Sequence, residues 1–347
     1  LEKDTNIEEN FQDFINIIDE YKFCDDKHDL MLFLRLISQI STNHYRGTNF
    51  ISKIEKILQS IKNDIEKYLT NSEIYNIFKS NKRILLFLIE SSILILDESI
   101  VEKFFTPENI KASYPQYFRP EIKPFLTYLC SKYKIEKKED NDQLPENYYE
   151  KRKIGENHSY VCELIRNDSI KEFIVYINKN NYSLQSTITP SIYETNQYLI
   201  DKKLTLIEYA VFFGSIQIFN YLKLNGVELN IEILSFVIHG ENEEIIHSLE
   251  ENVDQKPSKG NLIMSIKCHH NDIANYLISN YFQNSEIYSE IFNYILEYYN
   301  FAFIQYELIN EDIFCDLCQY DYYFIVNSLL EEKNIDVNKI SFKCNCI

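Results

Sequence analysis

A helical phrase recurs at short, nearly regular intervals through the second half of the chain and restricts the fold more than any other feature. In its best copy, Thr205–Leu222, apolar residues return every three or four positions on both sides of Gly214. This pattern predicts two short amphipathic helices joined by a tight turn at a residue that tolerates positive φ. A helix pair of this length leaves an apolar face that needs similar neighbours to bury it.

The sequence supplies those neighbours. Ile218 is followed by Ile245 after 27 residues and by Ile273 after another 28, each within a matching phrase. A less regular copy contains Ile304, and a last copy contains Ile325. Tandem helix pairs at such a period indicate a solenoid, in which each repeat packs on the next.

The first part of the chain is helical in pattern but lacks the repeat. Apolar stripes with helical spacing run through residues 11–18, 32–40 and 51–69, and Ile84–Leu96 is apolar on nearly every side. Such stripes predict amphipathic helices, and the run that is apolar all round predicts a buried one.

A charged stretch with few aliphatic residues, 136–157, separates the two kinds of pattern. That composition is typical of a linker or long surface loop. We therefore predict an all-α chain with an N-terminal helical domain over 1–140, a charged linker or loop over 141–157, and helical repeats over 158–347.

The repeated residues resemble the ankyrin repeat. Thr205, Ala210, Gly214, Ile218 and Leu222 match positions of that family's consensus in the best copy. More closely, Leu206–Leu222 and Ile266–Tyr276 are similar to phrases of a large, divergent ankyrin family of protozoa, whose members carry a helical N-terminal region of unknown function that residues 1–150 resemble. The resemblance implies about five repeats over half of the chain, and protein–protein recognition as the function.

The chain departs from the ankyrin consensus in two ways. Two of its periods are 27 and 28 residues, against about 33 in the family, and the missing residues fall where the β-turn finger lies. Leu206 and Glu208 replace the Pro and His of the T-P-L-H motif. We therefore expect shortened fingers and the loss of some hydrogen bonds between repeats.

Charge and glycine content exclude several functions. The formal net charge is −18, and no basic patch of the kind that nucleic-acid binding requires is present. Only six glycines occur, and neither phosphate-binding glycine motif is found. An acidic chain favours a protein partner with a basic patch.

The eight cysteines are scattered through helical pattern, which favours reduced thiols in the cytoplasm over a disulfide framework. The sequence shows no signal peptide, and Ile84–Leu96 is too short to cross a bilayer. We expect a cytoplasmic protein that binds neither membrane nor nucleic acid.

Two groups of thiols and imidazoles are candidates for chemistry. Cys315, Cys318, Cys344 and Cys346 could supply a four-thiolate zinc site, although the Cys-x-Cys half has unusual spacing and Cys315 and Cys318 also fit core positions. Cys268-His269-His270 offers ligands, but adjacent residues on a helix point about 100° apart and chelate poorly. Packing is the favoured interpretation of both, so we predict no metal, no cofactor and no catalytic residue.

In ankyrin arrays the two residues before the turn glycine line the concave surface. The corresponding row is rich in aromatic residues, which dominate many interfaces. Alternatively, shortened fingers let the N-terminal helices cover it. The partner-binding residues predicted from this row are Phe212, Phe213, His239, Lys267, Tyr298, Tyr299, Gln319 and Tyr320.

The sequence therefore predicts a non-enzymatic protein–protein interaction module that binds its partner on the concave helical surface. Two alternatives remain open: a metal- or thiol-dependent helical enzyme that uses the C-terminal cysteines, and a purely structural scaffold. The identity of the partner, the pathway, the oligomeric state and the role of the N-terminal domain do not follow from the sequence.

Overall fold

The computed structural model describes residues 7–21, 26–43, 47–133, 143–230, 233–252, 256–283, 287–304, 311–320 and 322–332. All regular structure in these ranges is helical, apart from an isolated antiparallel bridge between Thr187 and Thr205. The prediction of an all-α chain is therefore confirmed. The chain forms two compact units, Leu1–Glu228 and Leu229–Ile347, here called the N-terminal and C-terminal units.

The N-terminal unit begins with helices that share one hydrophobic core. The core is built from the aliphatic stripes that the sequence shows, together with the aromatic residues Phe104, Tyr117 and Phe118. The helices are α1 (Ile7–Tyr21), α2 (Lys27–Asn43), α3 (Gly47–Ser60), α4 (Lys62–Tyr68), α5 (Asn71–Phe78), α6 (Lys82–Glu90), α7 (Glu98–Lys103), α8 (Pro107–Lys111), α9 (Tyr114–Tyr117), α10 (Arg119–Ile122), a 3-10 turn (Lys123–Phe125) and α11 (Leu126–Tyr133).

The sequence predicts a charged linker or loop over 141–157, and the described part of this segment, 143–157, contains a helix, α12 (Tyr148–Ile154). Arg152 is 2% exposed. Its guanidinium makes a bidentate ion pair with Glu121, with N–O distances of 2.6 and 2.9 Å. Tyr148 donates to the carbonyl of Tyr117 at 2.6 Å. Arg152 of this segment is thus paired inside the N-terminal unit. The boundary between the two units falls later in the chain, after Glu228.

Two helix pairs complete the N-terminal unit, and each pair is called a layer. α13 (Tyr160–Arg166) and α14 (Ile170–Lys179) form one layer, and α15 (Leu206–Phe212) and α16 (Ile216–Leu224) form the next. α13 packs on α15, and α14 packs on α16. The helix pair predicted around Gly214 is confirmed.

Polar side chains join these two layers. Ser215 donates to the carbonyl of Ile165 at 2.5 Å. The carboxylate of Asp168 accepts from the backbone N–H groups of Gln217 and Ile218, both at 3.0 Å. A carboxylate from one layer thereby caps the positive N-terminal end of a helix in the next.

The C-terminal unit is built from layers of the same kind. Its first helices pack in sequence order, α17 on α19, α19 on α21 and α21 on α22. A core of aliphatic and aromatic side chains runs through the described layers from Leu262 to Leu329. The helices are α17 (Ile233–Gly240), α18 (Glu243–Asn252), α19 (Lys259–Lys267), α20 (Asn271–Tyr281), α21 (Ile287–Glu297), a 3-10 turn (Phe301–Phe303), α22 (Glu311–Gln319) and α23 (Tyr323–Glu332).

Side chains also bridge the layers of the C-terminal unit to backbone carbonyls. Asn261 donates to the carbonyl of Leu234 at 3.0 Å, and Asn300 donates to that of Ile266 at 2.9 Å. The hydroxyl of Tyr322 donates to the carbonyl of Leu296 at 2.8 Å. Hydrogen bonds between layers are therefore present. They are supplied by Asn261, Asn300 and Tyr322, and not by a histidine at the position of the ankyrin consensus.

Among the residues that the structure describes, five turns within layers contain a residue with a left-handed backbone. In each of these five turns it lies two positions before the second helix or 3-10 turn of the layer. These residues are Asp168 (φ 47°), Gly214 (φ 67°), Glu241 (φ 47°), His269 (φ 57°) and Tyr299 (φ 55°). Four of the five carry a side chain, although this conformation costs an L-residue roughly 1–2 kcal/mol.

Among the residues that the structure describes, no helix combines the length and the apolar character needed to cross a membrane.

The turn at Gly214 gives a stability prediction. Gly214→Ala should lower the free energy of unfolding by about 1–2 kcal/mol, because alanine adopts positive φ only with strain. Gly214→Asn should lower the free energy of unfolding by less, because asparagine adopts positive φ more readily than alanine. Urea denaturation followed by circular dichroism measures both. An alanine variant as stable as the asparagine variant would show that the backbone conformation does not set the cost.

Candidate binding surface

The left-handed turn residues define which two positions of each layer belong to the predicted row, which the sequence alone did not show. If the left-handed residue marks the turn, the two positions before it are Phe212-Phe213, His239-Gly240, Lys267-Cys268 and Glu297-Tyr298. Tyr299 is the turn residue itself and stacks on Tyr322, with ring centroids 6.0 Å apart. The row in this layer is therefore shifted by one residue, so that Glu297 and Tyr298 occupy the two positions that the sequence analysis assigned to Tyr298 and Tyr299.

The residues of the predicted row differ in how far their side chains are exposed to solvent. Phe212 is 5% exposed and His239 is 8% exposed, so both side chains lie in the interior of their own unit. Phe213 and Lys267 are half-buried, as are Tyr298, Tyr299 and Tyr320. Gln319 is exposed. Phe212 and His239 are therefore unsuited to direct contact with a partner.

The accessible part of the row in the C-terminal unit combines tyrosines with carboxylates. We call Tyr294, Glu297, Tyr298, Asp316 and Tyr320 the tyrosine–carboxylate patch. They lie on or directly after α21 and α22, which pack on each other. Each of the five is half-buried or exposed. The patch is thus held by packed helices and still reaches solvent.

The electrostatics of the patch follow from its composition. The pKa of Tyr298 is raised by burial, then by the negative charge of Glu297. Burial also raises the pKa of Tyr320, followed by Glu297 and Asp316. Both phenols therefore stay neutral near pH 7. The ammonium of Lys267 lies 5.0 Å from the centroid of the Tyr298 ring, a cation–π distance.

A second group of side chains joins two layers of the C-terminal unit. The ligand atoms of His239, Cys268 and His270 all lie within 4.8 Å of one another. The Cys268 sulfur is 3.9 Å from Nδ1 of His239, and the His239 and His270 rings meet edge to face. The Glu241 carboxylate lies within hydrogen-bond distance of Nδ1 of His270. Neighbouring layers therefore bring together residues that the sequence analysis considered separately.

The remaining cysteine candidates are only partly described. Cys315 and Cys318 lie on α22 and are half-buried, and Cys318 packs against the core of the C-terminal unit. Cys344 and Cys346 lie outside the described residues. The four-thiolate arrangement therefore stays a prediction.

The N-terminal unit contains buried charges with strongly shifted pKa values. Burial lowers the pKa of Lys82 to about 7, and the negative charge of Glu194 opposes this shift. Burial raises the pKa of Glu194 to about 7. Shifted groups of this kind occur both at active sites and in structural networks.

Here the shifted groups are held by the backbone. Lys82 donates to the carbonyls of Ala112 at 2.8 Å and Ile192 at 3.3 Å. Glu194 accepts from the backbone N–H groups of Asn157 at 3.2 Å and Asn196 at 2.9 Å. These bonds tie the long segment between α14 and α15 to the first helices, so we interpret the centre as structural.

A pocket beside Glu194 supports this interpretation. Its cavity volume is about 10 Å³, and its lining includes Asn157, Ser191, Glu194, Leu199 and Tyr209. Ligand pockets usually have volumes of about 300–1,000 Å³. The space next to the buried charges is therefore small for a substrate.

No protein-family model matches the chain, and neither a curated protein nor a solved structure matches it at a significant level. The ankyrin resemblance therefore stays a prediction, and the interpretation of the surface depends on the contacts of this chain.

The burial of Phe212 changes what its substitution would test. Phe212→Ala should lower the free energy of unfolding by about 3–5 kcal/mol, because it leaves a cavity in the core. Leu224→Ala is the matched control in the adjoining helix. Leu224 is 86% exposed, so its truncation should change stability by less than about 0.5 kcal/mol. Equal effects in a denaturation series would contradict the buried position of Phe212.

The Lys82 centre gives a pH prediction. Lys82 binds its proton up to pH 10.5 in the unfolded chain but only to about pH 7 in the folded one. Between these values the unfolded state holds more protons, so stability contributed by this site rises with pH. Compared with Lys82→Met, the wild type should gain up to about 1.4 kcal/mol per pH unit above pH 7. A pH-independent difference between the two denaturation curves would disprove the shift.

Proposed function

We propose that the protein is a divergent ankyrin-like repeat protein, related to those of protozoa, that acts in the cytoplasm as a non-enzymatic protein–protein interaction module. Its partner binds the tyrosine–carboxylate patch of the C-terminal unit. The partner presents arginine or lysine side chains to this patch. The N-terminal helical region serves as a further part of the same scaffold.

The composition of the patch is the observation that carries this proposal. Tyrosine is among the residues most enriched at the energetic centres of interfaces. Tyr298 and Tyr320 present neutral aromatic rings, and Glu297 and Asp316 add negative charge beside them. Aromatic faces and carboxylates together favour a guanidinium or ammonium group. The formal net charge of −18 would steer a basic partner toward the chain.

The layered packing supports the ankyrin-like part of the proposal. Helix pairs follow one another with a left-handed residue at the same turn position, and first helices pack on first helices. A surface carried by packed helices is ordered before it binds, so little conformational entropy is lost on association. This is the physical advantage of repeat scaffolds as binding proteins.

The experiment places a photo-cross-linking amino acid at Gln319, which is exposed beside the patch, in the full chain. The matched control carries the same group at Glu251, an exposed carboxylate on α18. A partner captured from the source cell at Gln319 and not at Glu251 is then purified for affinity measurements.

Glu297→Lys and Tyr298→Ser should each weaken binding of that partner by about tenfold or more. Glu251→Lys should leave the dissociation constant within about twofold at physiological salt, because distant surface charges are screened. Loss of affinity with added salt should be smaller for Glu297→Lys than for the wild type. Unchanged affinity in both patch variants would refute the proposed surface.

A further inference from the structure

We propose that His239, Cys268 and His270 bind a divalent transition-metal ion of the zinc type, and that the ion joins two neighbouring layers of the C-terminal unit. His239 lies in the last turn of α17 in one layer, and Cys268 and His270 flank the turn residue His269 in the next. This inference is independent of the proposed binding surface.

The spacing of the donor atoms fits a tetrahedral site. The Cys268 sulfur lies 3.9 Å from Nδ1 of His239. In tetrahedral zinc with bonds of about 2.3 Å to sulfur and about 2.0–2.1 Å to nitrogen, these atoms stand about 3.6 Å apart. All three ligand atoms lie within 4.8 Å of one another. A small shift of the side chains is enough to bring them around one ion.

The local backbone explains how residues two apart in sequence share a site. His269 has φ 57°, so the chain turns between Cys268 and His270 and does not continue as a helix. The objection that neighbours on a helix point about 100° apart therefore does not apply. His269 itself contacts the following layer, with its Nε2 atom 2.7 Å from the carbonyl oxygen of Tyr298.

Glu241 supplies the outer support that metal-binding histidines usually have. Its carboxylate pairs with Nδ1 of His270. A carboxylate at this nitrogen holds the proton there, orients the ring and leaves Nε2 as the metal-binding atom. The Glu241 side chain is 43% exposed, whereas that of His270 is 10% exposed. The carboxylate therefore reaches solvent, whereas the imidazole that it orients is largely buried.

The donor set selects the class of ion. One thiolate and two imidazoles favour zinc and related ions over magnesium or calcium, which prefer oxygen ligands. On binding, the Cys268 thiol loses its proton to solvent and the thiolate forms the metal–sulfur bond. Three protein ligands leave a fourth position for water or for a ligand from another molecule.

Metal binding at this position would stabilise the stack. In a repeat protein the interfaces between neighbours contribute much of the stability. An ion that binds only the folded layers shifts the folding equilibrium toward them. Affinity should fall in acid, because the thiol and the imidazoles must lose protons to bind.

The test uses the full chain, stripped with a chelator and titrated with Zn²⁺ and, separately, with Co²⁺. We expect one ion per chain, a thiolate-to-cobalt charge-transfer band, and a higher melting temperature with Zn²⁺ bound. Cys268→Ala and His270→Gln should each abolish stoichiometric binding. Glu241→Gln should weaken it by about 10- to 100-fold.

Three controls separate this site from others. His269→Asn changes the adjacent imidazole and should keep the ion, and so should Cys162→Ala, which alters a buried cysteine of the other unit. The double variant Cys344→Ser/Cys346→Ser should also keep it. Absence of stoichiometric metal in the wild type, or full binding by folded Cys268→Ala or His270→Gln, would overturn the proposal, as would loss of the ion in the double variant alone.

Discussion

Burial of short helices against one another is the constraint on which the layered part of this structure depends. The helices of the layers have between 7 and 11 residues, and isolated helices of this length are marginal in water. Each therefore takes its stability from the layer beside it. Ser215, Asn261 and Asn300 extend this dependence to hydrogen bonding, because each donates to a carbonyl of the preceding layer.

The same stacking assembles the candidate sites. Residues about one repeat apart become neighbours, as the 29-residue separations of Cys268 from His239 and of His269 from Tyr298 show. The metal-type cluster and the tyrosine–carboxylate patch are both products of this register.

The sequence predicted the helices and the Gly214 turn because periodicity is a local signal. It placed Tyr299 in the binding row because a turn residue other than glycine leaves no local mark. It also treated 141–157 as a charged linker or loop, since the charge of Arg152 is visible in sequence but its partner, Glu121, is 31 residues away. At Cys268 and His270, which it offered as ligands, it favoured packing, because His239, the third member of the cluster, is 29 residues away from Cys268. Contacts between layers depend on register, which a single sequence specifies only weakly.

The left-handed turn residues show why glycine does not occupy four of these five turns. Glycine would relieve the backbone at each turn, yet Asp168, Glu241, His269 and Tyr299 stand there at a cost of about 1 kcal/mol or more each. Each of these side chains makes a contact that glycine lacks. Asp168 accepts two N–H groups of the next layer, and His269 contacts a carbonyl of the next layer. Tyr299 stacks on Tyr322, and Glu241 pairs with His270 of the next layer. The backbone strain is thus offset by contacts between layers. At Glu241 this contact also places a carboxylate beside His270 of the proposed metal site.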